Sequence, residues 1–302
     1  MTLDKNTKIL IVGLGVIGGS YAAALTRAGY RVFAITKDES DVDYALERGI
    51  IERGTTELDP SLIGEAQLVI FALYPGVFIE WIRENQALFS SGTLITDVTG
   101  VKGCVVDKVQ SILRPDVEFI AAHPMAGRER SGVEYSDPSV FRGANYIITP
   151  TEKNTKEAID LCHRLGEVLG FARISELSPE EHDDMIAFLS QLTHVIAVSL
   201  MNSDNTPGLE KYTGDSFRDL TRIAKINDKM WCELFLLNRD ALLAKTDSFI
   251  DTITAFRNML AASDADGMRE AMRRSTERRA LFDKPCGDLE NSKNKERSRK
   301  NE

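Results

Sequence analysis

Histidine and glycine carry most of the chemical signal in this chain of 302 residues. His123 stands in His123-Pro124-Met125-Ala126-Gly127, directly after the strand-like run 118–122, where a strand opens into a loop. An imidazole, with an ordinary pKa of ~6.5, suits taking a proton near neutral pH. The plainer reading is a histidine that ties a turn together. Gly13, Gly15 and Gly18 form G-x-G-x-x-G between the apolar run 9–12 and a helical stretch. Gly13 permits a tight turn, Gly15 lets backbone N–H groups approach a pyrophosphate, and Gly18 lets the helix lie close on the strand. With Val16 and Ile17 between them, these residues set a helix N-terminus, the positive end of its dipole, in front of phosphates. The chemistry implied is acid–base work beside a bound dinucleotide.

The second strand-like run, 31–35, ends in Thr36-Lys37-Asp38. In NAD-binding folds an acid at this point bonds the ribose 2′-hydroxyl and repels a 2′-phosphate. Aligning that acid with Thr36 leaves a hydroxyl and the Lys37 charge for a phosphate, which leans towards NADP. Aligning it with Asp38 favours NAD. A third reading leaves Lys37 a solvated loop residue.

The elements that must position these groups alternate. Strand signals over 68–73, 93–95, 118–122 and 144–149 are interleaved with helical spacing over 77–88 and 102–113. Such alternation predicts a doubly wound parallel sheet of Rossmann type, with ligands at the carboxyl ends of its strands. After Phe171 the texture becomes helical. Ser178-Pro179-Glu180-Glu181 reads as a helix start, with a serine cap, proline at the first position and glutamate three after the cap. One periodic pattern follows from Met185 to Leu200, and a second from Trp231 to Leu260. A single helix of about 30 residues would be roughly 45 Å long, more than a small domain needs. Its apolar face is expected against a second subunit, giving a homodimer. The expected domains are 1–175, a dinucleotide-binding domain, 176–285, an all-helical dimerisation domain, and 286–302, a disordered polar tail.

The net charge of −9 and the lack of a basic stripe argue against nucleic acid. No run reads as long and apolar enough to span a bilayer, so no membrane partner is expected. Residues 1–25 could be taken for a secretory signal, but Asp4 and the glycine spacing argue against it. The four cysteines form no C-x-x-C, so reduced thiols in a cytoplasmic protein are expected and no metal site.

The motifs GLGVIGGS, DVTGVKG, HPMAGRERSGVE, SPEEHDDMIAFLSQLTHVIA and FRDLTRIAKINDKMW occur in this order over residues 8–283. Together they resemble the prephenate/arogenate dehydrogenase family of tyrosine biosynthesis. The resemblance implies NAD(P)-dependent oxidative decarboxylation of a cyclohexadiene, prephenate or arogenate. His123 matches the histidine that accepts a hydrogen bond from the ring hydroxyl, and Arg222 matches the carboxylate-binding arginine. Lys102 is a weaker substrate cation and equally a helix cap. Glu129 and Asp183 match acidic positions, implying an ion-pair network around the arginine. His194 matches a histidine near the substrate, one turn after Ser190. His182 matches as well, at a helix start where a structural role is as natural.

Two departures stand out. The family often has serine before VKG, where this chain has Gly100, so Thr99 or a water is expected to substitute. Gln191 stands where many members have histidine. Three other functions stay open: arogenate oxidation, a β-hydroxyacid or imine reductase of similar plan, and a regulator that senses NAD(P) without turnover.

Overall fold

The computed structural model describes residues 3–127, 130 and 132–283. Six strands, β1 (Lys8–Val12), β2 (Arg31–Ile35), β3 (Arg53–Thr55), β4 (Leu68–Phe71), β5 (Leu94–Asp97) and β6 (Glu118–Phe119), form a parallel sheet in the order β3-β2-β1-β4-β5-β6. Helices α1 (Val16–Arg27), α2 (Glu39–Glu47), α3 (Pro60–Glu65), α4 (Pro75–Asn85) and α5 (Gly103–Ile112) connect them. Successive side chains on a strand point to opposite faces. Ile9 and Ile11 therefore join one core with Tyr21 and Leu25 of α1, while Leu10 and Val12 join another with Phe78 and Ile82 of α4. Burial on both faces is why these strands read as unbroken apolar runs. Strand order reverses between β1 and β4, which opens a crevice at their carboxyl ends.

The strand-like run 118–122 serves two sheets. Ile120 N–H still donates to Ile95 O at 3.0 Å, but Ala122 N–H donates to the Asp97 side chain at 3.1 Å. From there β7 (Ala121–Pro124) pairs antiparallel with β8 (Asn145–Thr149), and β8 pairs parallel with β9 (Arg173–Glu176). The strand expected over 144–149 thus belongs to a second, mixed sheet rather than to the parallel one. Helix α6 (Lys156–Leu169) joins β8 to β9.

The capping box of Ser178 and Glu181 starts α7 (Pro179–Ile186), as the sequence pattern expects. One π turn, Ala187–Gln191, leads into α8 (Leu192–Asn202). The stretch Pro179–Asn202 is 24 residues of helix, long and apolar enough by length and composition to cross a membrane, contrary to the expectation that no run would be. It nevertheless carries buried His182, Asp183 and Gln191. Helix α9 (Asp215–Thr221), a 3-10 turn at Arg222–Ala224, α10 (Asp228–Leu237), α11 (Arg239–Ala261) and α12 (Ala265–Ala280) follow. The single helix expected from residue 228 is therefore two. Asn238 breaks it because its buried amide donates to Asp183 O at 2.9 Å and to Gln191 Oε1 at 2.8 Å, while Gln191 donates to Leu234 O at 3.0 Å. Gln191 is thus a staple between helices.

By packing alone, the chain clusters into two compact units that meet between Lys245 and Thr246. Helix α7 packs on α5, so the first helices after residue 176 belong to the same compact unit as the sheets. The second unit comprises the remainder of α11 and α12. They are joined by a turn in which Ser263 has φ 53° and the Asp264 carboxylate accepts Gly267 N–H at 2.9 Å. The expected polar tail, 286–302, lies outside the described residues.

Candidate active site

The glycine loop has the shape of an anion cradle. Gly13, with φ 97°, donates its N–H to Ile35 O at 2.7 Å, tying the loop to the end of β2. A Cβ on Gly13 would meet Ala72 O at 2.6 Å, and one on Gly18 would meet Gly13 O at 1.9 Å. A Cβ on Gly15 would meet no described atom within 4 Å, so it would enter the open space before α1. Among the described residues no side chain caps α1, and its first turn holds no acid. The Val16 and Ile17 amides at this helix start suit a pyrophosphate. Because β2 ends at Ile35, Thr36 is the first residue beyond it, and its buried hydroxyl accepts Leu14 N–H at 3.3 Å. Lys37 is exposed, 3.7 Å from the Asp38 carboxylate. These residues fit a dinucleotide.

His123 lies on β7, and the main chain of the residue before it is gripped by two side chains. Asp97 Oδ1 accepts Ala122 N–H, and the Lys102 ammonium donates to Ala122 O at 2.7 Å. Lys102 also pairs with Asp97 Oδ2 at 2.8 Å, with both side chains fully buried. Burial pulls the Lys102 pKa down and Asp97 opposes this. Lys102 is therefore a buried clamp and not a substrate cation. The Thr99 hydroxyl donates to the same carboxylate and lies 3.0 Å from Val101 O, so it does not take the place of the family serine. Gly100 itself faces the histidine: a Cβ there would lie 3.9 Å from His123 Nε2 and 3.8 Å from Leu234 of α10.

On the other side of the ring, His123 Nδ1 lies 2.8 Å from Nε2 of fully buried His182, and His182 Nδ1 lies 2.8 Å from Asp183 Oδ1. Asp183 accepts backbone N–H groups from Lys102 and Gly103, both at 2.8 Å. Its carboxylate is thus engaged with α5 and His182, which corrects its expected place in a network around Arg222. Burial first, then the neighbouring His182 and Lys102, hold the His123 imidazole well below its ordinary pKa. Burial also lowers that of His182, against the pull of Asp183.

His194 on α8 sends Nδ1 to Ser190 O at 2.9 Å and stacks on Trp231 of α10, ring centroids 3.6 Å apart. Arg222 is exposed on the 3-10 turn that packs against α8. Glu129 lies outside the described residues. Sequence reasoning left His182 between a family match and a structural role, without its contact to His123, and did not connect Trp231 with His194. The adjacent His182-Asp183 pair at a helix start was the available signal for the first.

Residues 21–174 match the family described as prephenate dehydrogenase, nucleotide-binding domain, and residues 178–274 match its dimerization domain. The chain belongs to the prephenate dehydrogenase family. It is an oxidoreductase with a nicotinamide cofactor. A prephenate dehydrogenase of Bacillus subtilis (strain 168) is 34% identical over 279 residues, 89% of this chain and 74% of the relative. A cyclohexadienyl dehydrogenase of Zymomonas mobilis is 30% identical, over 92% of this chain and 96% of the relative. The crystal structure of prephenate dehydrogenase from A. aeolicus, in complex with hydroxyphenyl propionate and NAD+, is similar with a TM-score of 0.85 and 30% identity. The match covers 94% of this chain and all of that one, 100%.

The glycine geometry separates binding from folding in this family member. Gly15→Ala, at φ −74° and ψ −166°, is allowed for any residue and should leave the melting temperature unchanged. Its methyl should weaken NAD(P)+ by about tenfold or more, roughly 1.4 kcal/mol. Gly18→Ala should instead destabilise the fold by about 1–3 kcal/mol, as overpacking does. Calorimetry with and without cofactor checks both. Equal melting losses, or undiminished binding by Gly15→Ala, would contradict the cradle.

Proposed function

We propose that this chain is a prephenate dehydrogenase of tyrosine biosynthesis, converting prephenate to 4-hydroxyphenylpyruvate. The observation that carries the reading is the His123 imidazole, its Nε2 directed at the space beside Gly100, in a chain that matches the family across both halves. When bound at Gly13, Gly15, Val16, Ile17 and Gly18, the nicotinamide nucleotide supplies the hydride acceptor. His123 Nε2 accepts the proton of the ring hydroxyl. Loss of that proton and of the carbinol hydride leaves a ketone, and the ring carboxylate departs as carbon dioxide as the ring becomes aromatic. Arg222 supplies the cation that an acidic protein needs for a dianion, since a guanidinium binds a carboxylate with two parallel hydrogen bonds. His194, held on its Trp231 shelf, lies on the helix against which the Arg222 turn packs.

The assay is purified protein with prephenate or arogenate and either cofactor, followed at the nicotinamide absorbance. Turnover with prephenate is expected, and silence with both substrates overturns the reading. Arogenate oxidised in preference would make the chain the arogenate enzyme. His123→Asn should lower kcat by ~10²–10⁴-fold with cofactor affinity kept. Arg222→Gln should raise the substrate KM by about 10- to 150-fold, the loss of ~1.5–3 kcal/mol of charge-assisted bonding. Only neutral His123 accepts a proton, so activity falls as pH falls through its lowered pKa. The acid limb of kcat/KM is expected below about 6.5, and a limb above that value contradicts the role.

Thr36 and Lys37 support a lean towards NADP. Lysine is a flexible point charge, so NAD should still be used. Thr36→Asp should shift kcat/KM towards NAD by repelling the 2′-phosphate. A wild type that strongly prefers NAD, unchanged by the substitution, would contradict this. The chain further acts as a homodimer. Apolar side chains of the helical half, among them Leu236, Leu243, Ile253 and Leu260, are more than half exposed here and suit burial against a second copy. Sedimentation as a monomer at micromolar concentration would refute that.

A further inference from the structure

The His182 ring is fully buried between two partners at 2.8 Å, His123 and Asp183. The protonation of this chain of groups follows from its far end. Lys102 and Gly103 present backbone N–H groups to the two Asp183 oxygens, and a backbone N–H only donates. Asp183 is therefore an acceptor on both oxygens, and His182 Nδ1 must be the donor to Oδ1. A neutral imidazole that donates from one nitrogen accepts at the other. His182 Nε2 thus accepts from His123 Nδ1, and His123 Nε2 is left with a bare lone pair. That nitrogen faces Gly100, where a Cβ would come within 3.9 Å of it.

We propose that His182 is the positioning residue of His123: it holds the proton on Nδ1 of His123 and so keeps Nε2 free to accept the substrate hydroxyl. The proposal rests on the reading of His123 given above. The proton bookkeeping is complete within the chain. Backbone amides of α5 fix Asp183, Asp183 fixes His182, and His182 fixes His123. Among the described residues, the charged groups facing the pair are Lys102 and Asp97 from the α5 start and β5, and Asp183 from α7. Helix α10 brings Leu234, and β8 brings Ile147 opposite His123 in the sheet. The lowered pKa values of both imidazoles agree with a neutral pair at pH 7. Without His182 nothing on α7 would accept the Nδ1 proton, and a proton on Nε2 would present a donor to a group that must itself donate.

The test reads the tautomer directly. Full-length protein labelled with 15N-histidine, free of substrate, is examined by long-range 1H–15N correlation at pH 7.5, with the four histidines assigned by single replacements. His123 is expected with its proton on Nδ1 and none on Nε2. In His182→Leu the Nε2-protonated form should appear, and kcat should fall by about 10²-fold or more while cofactor affinity stays. His182→Gln puts an amide oxygen where Nε2 was, and should restore the tautomer and most of the turnover. A wild-type His123 protonated on Nε2 overturns the proposal, even if the leucine variant fails to fold. So does a leucine variant with an unchanged tautomer, or equal losses in both variants. Because the spectrum needs no substrate, an enzyme silent on prephenate and arogenate would sink the functional reading without deciding this one.

Discussion

Both oxygens of Asp183 accept backbone N–H groups at the start of α5, and one of them also meets His182. Among the described residues α5 has no side-chain cap from its own N-terminal residues, so an acid 80 positions along the chain does the capping. An N-cap is worth roughly 0.5–2 kcal/mol, and an anion at a helix start is further favoured by the dipole. That contact docks α7 on the nucleotide-binding part and fixes the imidazole behind His123. One carboxylate thus serves folding and chemistry together. This is why packing does not divide the chain where its composition changes.

The second anchor is the buried Lys102–Asp97 pair. Two charges removed from water gain little net stability, but removing one partner costs about 3–5 kcal/mol, because the other is stranded. What the pair contributes here is placement. Asp97 takes the N–H of Ala122 and Lys102 binds its carbonyl, so the residue before His123 is held on both polar groups. The same clamp diverts the chain at Ile120 from the parallel sheet into the second one. The chain thus keeps one of its lysines deep inside and leaves Arg222 at the surface.

Much of this was legible in the residues. The run 9–12, three spaced glycines and a helix with no breaker specify a strand, a turn and a helix through local sterics alone, and that unit forms as read. The capping box at Ser178 is equally local. Apart from the apolar length of 179–202, the misreadings are non-local. Nothing between Glu118 and Ala122 says that a carboxylate on β5 will capture one amide and change the sheet. Nothing in the period from Trp231 to Leu260 says that the Asn238 amide will find partners on α7 and the π turn and break the helix. Lys102 and Asp183 are the residue types a substrate site needs, and only their partners show that they support the site from behind. His182 was visible as a type and a position. Its importance lies in what stands on either side of it, which no spacing rule encodes.

The most direct measurement is kcat of Asp183→Asn, counted per cofactor-binding site. An amide cannot accept from two backbone N–H groups and from His182 together, so its nitrogen must face one of those donors. If it faces His182, the protons along the imidazole pair reverse and Nε2 of His123 becomes a donor. A wrong tautomer costs a serine protease about 10⁴-fold in kcat, and a fall of ~10²–10⁴-fold is expected in the variant once 15N-histidine spectra show His182 without its Nδ1 proton, with cofactor still bound and stability reduced by about 1–3 kcal/mol. Turnover close to that of the wild type with the His182 proton so displaced would show that the reaction does not depend on the tautomer that Asp183 sets.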